Sequence, residues 1–450
     1  MIKKLLIANR GEVVSRIIRA CNSLGIRTVA VYSEADRDAL FTRQADESVH
    51  IGPANPMKSY LDVEAIIEAA RHSGADSVHP GYGFLAENYA FAQAVISEGM
   101  TWVGPSPEVM KAVESKCYCR HIAEKVQVPV NPGTFDPIKD VEEVYRFAEK
   151  VGYPVFLKLD KGGGGKGIEM VNADAEVPAV FERISRIGLA AFDSSDCYLE
   201  KVVVNPRHLE VQFLGDHFGN YFCLGERECS IQRRHQKIIE ESPSPVVMPA
   251  DRKMIFDYTL RLAQAMKYQG AGTIEGLRSD AGDYYFMEIN ARLQVEHPVT
   301  EFLTGVDIVQ TQLQIASGET LSLLQDDVKM DGHAIEARVY AEDPVTFQPS
   351  PGVIKMLHLP QETEDLRIDH ALEEGGSVPP FYDPLLAKVI AWGKNRENAT
   401  SRLIEALKDF QIEGVSTTIP LNISILEHPD FKSGNYHTGF IETLTGVSLR

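Results

Sequence analysis

The residues best suited to chemistry lie in Tyr284-Tyr-Phe-Met-Glu-Ile-Asn-Ala-Arg-Leu-Gln-Val-Glu-His-Pro298. Read with a period of two, one parity holds Glu288, Asn290, Arg292, Gln294 and Glu296, and the other holds Met287, Ile289, Ala291, Leu293 and Val295. Alternate residues of a strand face opposite ways, so the pattern predicts one apolar face and one face of carboxylates, amides and a guanidinium. A solvated outer face would have the same pattern. The preceding Ala271-Gly-Thr-Ile-Glu-Gly-Leu-Arg278 and the turn-forming Ser279-Asp-Ala-Gly-Asp283 turn the pair into a hairpin. A four-residue loop, Asp280 to Asp283, sets Glu275 directly across from Glu288. Like charges so opposed destabilise a sheet, and a divalent cation between them reverses the sign. Mg²⁺ is typically held by one or two carboxylates plus substrate phosphates. The hairpin therefore predicts a nucleotide–metal site.

A second signal is Lys161-Gly-Gly-Gly-Gly-Lys166-Gly167. Gly162, Gly164 and Gly167 satisfy G-x-G-x-x-G, but a polyglycine run does so trivially, and Gly167 after Lys166 breaks the P-loop pattern. Ile168 to Val171 reads as a strand, so the run joins two strands and presents no helix N-terminus. Flanked by Lys158 and Lys166, it suits a lid whose backbone N–H groups face phosphates; a plain surface loop is the alternative. Glu200-Lys-Val-Val203, after Asp196 to Leu199, reads as a strand entering a linker that can read adenine through its backbone. Glu226 to Lys237 packs Arg227, Arg233, Arg234 and Lys237 into a strongly acidic protein; a solvated charge run is the default reading, but Ile231 and Ile238-Ile239 point to partial burial, which suits a polyanionic substrate. His208-Leu-Glu210-Val-Gln212 alternates like a strand. His79-Pro-Gly-Tyr-Gly83 with Glu87-Asn88 is a glycine turn after a strand, a common place for substrate contacts; His79 and His297 by themselves read as structural. Cys117-Tyr-Cys119-Arg-His121 matches no common zinc spacing.

These segments need a scaffold. Residues 3 to 8, 26 to 32, 76 to 79 and 101 to 103 read as strands, and 11 to 24, 62 to 73 and 87 to 98 as helices, which predicts a parallel sheet wrapped by helices. This unit ends near Pro105-Ser-Pro107. Its first turn, Asn9-Arg-Gly-Glu12, lacks G-x-G-x-x-G and puts Glu12 where a pyrophosphate would sit, which argues against a dinucleotide. A second unit starts near Glu114, with a helix from Val141 to Lys150 and a strand from Val155 to Lys158. A third starts near Gly332, with a strand from Ala334 to Ala341 and a helix from Asn395 to Phe410. The 450 residues carry a net charge of −19, with 44% hydrophobic and 24% charged residues. That balance fits a soluble globular protein and argues against nucleic acid as a partner. No apolar run reaches a membrane span, the N-terminus is too short in apolar residues for a signal peptide, and six scattered cysteines fit reduced thiols in the cytoplasm.

Taken together the motifs resemble the biotin carboxylase subunit of biotin-dependent carboxylases, within the ATP-grasp superfamily. The resemblance rests on Ile7 to Glu12, Val78 to Asn88, Gly162 to Gly167, Glu226 to Ile238, Phe286 to Asn290 with Arg292, Gln294 to Glu301, Ala341 to Asp343 with Pro349 to Gly352, and Tyr382-Asp383, in the family's order. It implies an α/β (α+β) fold: an N-terminal Rossmann-like parallel-sheet domain (1–113), an ATP-grasp domain (114–331) with a mobile glycine-rich lid (131–203), and a C-terminal mixed domain (332–450). It implies a ligase in which ATP phosphorylates bicarbonate to carboxyphosphate and N1′ of biotin is carboxylated. By matching motif, ATP contacts are expected from Lys116, Lys158, Gly163, Gly164, Gly165, Lys166, Gly167, Glu200, Lys201, Val203, His208, Gln232, His235 and Leu277. Mg²⁺ (or Mn²⁺) is expected on Glu275 and Glu288 with Asn290. Bicarbonate is expected at Lys237, Arg292, Gln294 and Val295, with Glu296 as base, and biotin at Arg338 and Tyr82. Biotin is a carrier-borne substrate here, so separate carrier-protein and carboxyltransferase chains and a homodimer are expected. Ile354-Lys355-Met356 is only half of a biotinylation site. Departures from the family pattern stand at Gly276, Asp160-Lys161, Glu169, Ala291, Phe381, Pro384 and Thr417-Thr418. The rival readings are another ATP-grasp ligase and a catalytically silent nucleotide-binding subunit.

Overall fold

The computed structural model describes residues 1–162, 167–321 and 325–446. Its N-terminal sheet is fully parallel, in the order β3 (Glu47–Gly52), β2 (Arg27–Ser33), β1 (Lys4–Ile7), β4 (Ser77–His79), β5 (Thr101–Trp102). The strands are near-continuous apolar runs because helices cover both faces. The chain order reverses between β1 and β4, so the loops that follow them meet in one crevice. Asn9 fixes that meeting: its Nδ2 donates to the carbonyls of Pro80 and Tyr82, each at 2.7 Å. Strand β3 and the helix Leu40–Gln44 add to the elements expected from sequence. Residues 47–52 alternate exposed and half-buried side chains at an edge, without the apolar run of the inner strands.

A small antiparallel sheet orders β7 (Ile168–Val171), β6 (Val155–Leu159) and β8 (Cys197–Lys201), backed by the helices Val141–Val151 and Val177–Phe192. The glycine run does join two strands, as expected; Gly163, Gly164, Gly165 and Lys166 lie outside the described residues.

The central sheet has eight strands, in the order β13 (Tyr284–Asn290), β12 (Gly270–Arg278), β9 (Arg207–Gly215), β10 (Tyr221–Arg233), β11 (Gln236–Ser242), β14 (His333–Tyr340), β19 (Leu385–Gly393) and β17 (Leu366–His370). Two short ribbons, β15 (Gly352–Val353) with β18 (Ser377–Val378) and β16 (Met356–His358) with β20 (Gln411–Glu413), complete the C-terminal part. The sheet runs without a break through the sequence-based boundary near Gly332, because β11 and β14 pair from Ile239↔Ala337 to Ser242↔Ala334.

The hairpin differs from expectation in two compensating ways. Its loop is Ser279 to Asp283, closed by Arg278↔Tyr284, one residue longer than expected. A register shift between Glu275 and Gly276 leaves Met287 as an extra residue, which restores Glu275 opposite Glu288. The strand also ends sooner than the alternation suggested. It stops at Asn290, and Arg292, Gln294 and Glu296 belong to an irregular segment before the helix His297–Thr304. That segment is pulled across the sheet by Gln294 Nε2 donating to Thr273 Oγ1 at 2.7 Å and Lys388 Nζ donating to the Val295 carbonyl at 2.8 Å.

Candidate active site

Register across four adjacent strands places Glu288 (β13), Glu275 (β12), Glu210 (β9) and Arg227 (β10) side by side. Three carboxylates in a row demand cations. Arg227 supplies one, donating from Nε to Glu210 Oε1 at 2.6 Å. Lys237 supplies the other: its Nζ lies 2.8 Å from Glu210 Oε2, 2.9 Å from Glu275 Oε1 and 2.7 Å from Glu296 Oε1. Burial works against the Lys237 charge, but Cys229 and these three carboxylates outweigh it and hold the ammonium well above its usual range. Burial and Glu210 raise the Glu296 pKa; Lys237, Arg338 and Arg227 outweigh them and bring it below the ordinary carboxylate value. Glu296 is fully buried, and its second oxygen, Oε2, lies 2.9 Å from Arg338 Nη2. Glu210, Cys229 and Glu296 form a metal-like cluster within 4.8 Å. The Lys237 ammonium already serves as the cation for two of its members.

Toward the N-terminal sheet, Arg292 donates to Gln294 Oε1 at 2.9 Å and pairs with Glu87 at 3.3 Å. Tyr82 hydrogen-bonds Glu12, the residue that argued against a pyrophosphate. Toward the small sheet, Lys158 Nζ lies 2.6 Å from Glu200 Oε2, and Lys116 Nζ lies 3.6 Å from Glu288 Oε2. His208 Nε2 is 2.7 Å from Glu275 Oε2, its Nδ1 is 3.2 Å from Gln232 Nε2, and Leu277 pairs with His208 across β12 and β9. The turn between β10 and β11 holds Arg234 and His235 at φ 49° and 64°, a left-handed pair that costs energy for residues with side chains and thrusts both into solvent. Val203 is half-buried in the linker after β8.

Lys201 spends its side chain within the small sheet. Its Nζ donates to the Gly152 and Tyr153 carbonyls at 2.8 and 3.2 Å, its N–H is bonded to Pro132 and its carbonyl to Asn131. Sequence reasoning missed Glu210, Arg120 and Lys388. Arg120 holds Glu200 Oε1 at 2.8 Å opposite Lys158. The signal for Glu210 was present in the alternation of residues 208 to 212. Arg120 and Lys388 sit in segments with no distinguishing pattern.

Four of the departures find physical reasons. A Cβ on Gly276 would lie 2.3 Å from the Tyr284 ring, so that ring fills the space a side chain at 276 would take. Asp160 caps the helix that begins at Lys116, accepting from Cys117 N at 2.7 Å and Ser115 Oγ at 3.0 Å. Glu169 is held by both arms of Arg183, at 2.8 and 2.9 Å. Thr418 and Asn422 both donate to the Arg338 carbonyl, at 3.3 and 2.9 Å.

The donor set fits a hard dication. Glu275 and Glu288 are opposed across the hairpin and Asn290 Nδ2 donates to Glu275 Oε1 at 2.7 Å, so two carboxylates and a side-chain amide stand together on these two strands. The cations Arg227, Lys237, Arg338 and Lys116 already face Glu210, Glu275, Glu296 and Glu288, the Lys116–Glu288 pair being the longest at 3.6 Å.

Comparison with known proteins agrees. The description "Biotin carboxylase, N-terminal domain" matches residues 1–110, "Carbamoyl-phosphate synthase L chain, ATP binding domain" matches 115–324, and "Biotin carboxylase C-terminal domain" matches 336–443. A biotin carboxylase of Halalkalibacterium halodurans is 48% identical over 98% of this chain and 97% of its own. The chain belongs to the biotin carboxylase family. Its fold is accordingly ATP-grasp. Among solved relatives, the biotin carboxylase domain dimer of Hydrogenobacter thermophilus 2-oxoglutarate carboxylase, with MgADP, ADP and bicarbonate, superposes with a TM-score of 0.95 at 43% identity, covering 98% of both chains. The Campylobacter jejuni biotin carboxylase, in complex with a β,γ-ATP ligand, superposes at 0.96 and 40% identity, over 98% of this chain and 99% of its own. Among the described residues no helix is long and apolar enough to cross a membrane.

Proposed function

We propose that this biotin carboxylase family member carboxylates carrier-borne biotin from ATP and bicarbonate, as one component of a multi-subunit carboxylase. The observation that carries this reading is Glu296: a buried carboxylate held ionised between Lys237 at 2.7 Å and Arg338 at 2.9 Å. A base so placed can take the bicarbonate proton while Lys237, Arg292, Gln294 and the Val295 backbone hold the anion. Mg²⁺ on Glu275, Glu288 and Asn290 would supply charge neutralisation to the transferring phosphoryl group. Lys116, Lys158 and His208 line the nucleotide end, with Glu200, Gln232, His235, Leu277 and Val203 about the adenosine. The glycine run covers the phosphates, and Lys201 acts at most through its strand. Arg338 holds the ureido oxygen of biotin as negative charge develops there, and Tyr82 borders the ring. The chain divides functionally into 1–113, 114–331 and 332–450.

Carrier and carboxyltransferase are proposed to be separate chains, and the protein a homodimer. Support comes from a relative that is itself named as one component of a larger enzyme, the 2-oxoglutarate carboxylase small subunit of Hydrogenobacter thermophilus. Six buried, unpaired cysteines support the cytoplasm. The test is ADP release from Mg-ATP with bicarbonate, with and without free biotin. Stimulation that needs both substrates supports the reading; turnover indifferent to free biotin favours another ATP-grasp ligase or a strict need for the cognate carrier protein, and turnover indifferent to the biotinylated carrier as well sinks the reading.

A further inference from the structure

Beneath Arg338 the sheet makes an arrangement that the reaction does not explain. Glu240 on β11 and Glu336 on β14 are directly opposite residues. Such pairs have Cβ atoms roughly 4.5–5.5 Å apart, and two carboxylates there repel. Both are 0% exposed. Among the described residues, neither oxygen of Glu336 accepts a hydrogen bond, and Glu240 forms an ion pair only with the Arg338 guanidinium, through Nη2. That same Nη2 holds Glu296, so both carboxylates seize one corner of the guanidinium. Nε is left without a partner, and Nη1 has only the Tyr340 hydroxyl at 3.5 Å. The groups facing Glu240 are Lys237 on its own strand, Cys229 on β10, Glu336 and Arg338 on β14, and Glu296 above. Those facing Glu336 are Glu240, Arg338, Glu296 and Lys388 of β19. Lys388 itself lies 3.3 Å from Glu12 and 3.6 Å from Asp369, so its charge is already shared.

We propose that Glu240 and Glu336 share a single proton and act as a positioning pair for Arg338. Glu336 keeps the proton and donates its O–H to Glu240. The Glu240 carboxylate then anchors Arg338 Nη2, leaving Nε and Nη1 free for the oxygen of the biotin ureido group. With no proton in the pair, the two carboxylates push apart and the anchor is lost. With no Glu240, Glu296 can take two guanidinium donors, which ties the base to the group meant for substrate. Burial, outweighing the pull of Arg338 and Lys237, raises Glu240 to about 7, and burial, outweighing Lys388 and Arg338, raises Glu336 well above the carboxylate range. This agrees with the geometry in placing the proton on Glu336. The inference rests on the biotin-side reading of Arg338 given above.

The experiment compares wild type with E336Q and E336A. In infrared difference spectra at pH 7.5, wild type minus E336Q should show the deuterium-sensitive carbonyl stretch of a protonated carboxyl. Its absence overturns the shared proton regardless of any activity. In biotin-dependent ADP release with free biotin, wild type should lose activity on the alkaline side as the proton leaves. E336Q, whose amide mimics the protonated acid, should lack that fall and rescue the pair. E336A should raise KM for biotin about tenfold, the weight of one charge-assisted hydrogen bond, with KM for bicarbonate unmoved. An E336A enzyme with wild-type KM for biotin and the wild-type pH profile overturns the positioning role. Should E336A fail to fold, the infrared band and the E336Q profile still decide. Full biotin turnover in Arg338→Ala would sink the Arg338 reading separately, while leaving the infrared result untouched.

Discussion

Replacing Lys237 with glutamine isolates the electrostatics of the site. Its ammonium touches Glu210, Glu275 and Glu296 within 2.9 Å, while Arg227 also meets Glu210 and Arg338 also meets Glu296. Breaking a buried pair by removing one partner costs about 3–5 kcal/mol, because the other charge is left uncompensated. Protonation sets a ceiling. One carboxylate can escape by taking a proton, and from an ordinary value of 4.5 that costs about 3.4 kcal/mol at pH 7, at about 1.36 kcal/mol per pH unit. The expected loss at pH 7 is therefore about 3 kcal/mol.

The pH dependence follows from the same argument. In wild type, Glu210, Glu275 and Glu296 all have lowered pKa values, so they add stability above their unfolded value of about 4.5 and lose it as pH falls through the folded value. In K237Q at least one carboxylate is raised instead, giving stability below about 4.5 that is lost as pH rises. The gap between the two proteins should widen by roughly 1.4 kcal/mol per pH unit from pH 5 to pH 7. Urea midpoints of both proteins across that range, measured by intrinsic fluorescence, test it. A destabilisation that stays constant with pH would refute the reasoning, since Lys237 would then be acting through packing alone.

The other predictions concern single roles. Glu296→Ala and Arg338→Ala should each reduce biotin carboxylation at least a hundredfold while leaving the Kd for ATP within a few fold; normal carboxylation in either would remove its assignment. Glu288→Lys should abolish Mg-ATP hydrolysis, because it puts a cation where the dication would bind; measurable bicarbonate-dependent turnover would contradict the metal hairpin. Gly276→Ala should cost about 1–3 kcal/mol by overpacking against the Tyr284 ring, and Tyr284→Ala should relieve that cost in the double variant. Additive losses in calorimetry would show that the ring and the glycine are not coupled.

The hairpin that opposes Glu275 and Glu288 was legible because period-two spacing and turn chemistry are local. Its register came out right although the loop length did not, since the bulge at Met287 cancels the extra loop residue. Sequence patterns do not carry bulges, so that agreement came from two offsetting differences. Arg292, Gln294 and Glu296 lie beyond the strand on which the alternation placed them. Their alternation continues past Asn290, where tertiary bonds from Thr273 and Lys388 bend the chain away. Glu210 was missed because its importance is non-local: the cross-strand row from Glu288 to Arg227 joins residues up to 78 positions apart through pairing that no window sees. Lys388 is illegible for the same reason, its ammonium meeting a carbonyl 93 residues away.

The division of the site between two sheets carries a further consequence. Lys237, Glu275, Glu288 and Arg338 all ride on the one eight-stranded sheet, which continues through the boundary near Gly332. Their mutual distances are thus set by hydrogen-bonded register, and the Gln294–Thr273 and Lys388–Val295 bonds hold Glu296 against Lys237 and Arg338 on the same sheet. Lys158 and Glu200 ride on the separate three-stranded sheet, tied to the rest by Arg120, by the Asp160 cap on the Lys116 helix and by the bridge from Gly133 to Glu200. Base and guanidinium need placement within a hydrogen bond, while nucleotide-gripping lysines need only arrive over the phosphates. Changes in the small sheet should therefore act on nucleotide affinity. Changes along the central sheet should act on the chemical step, even at residues such as Glu240 that touch no substrate.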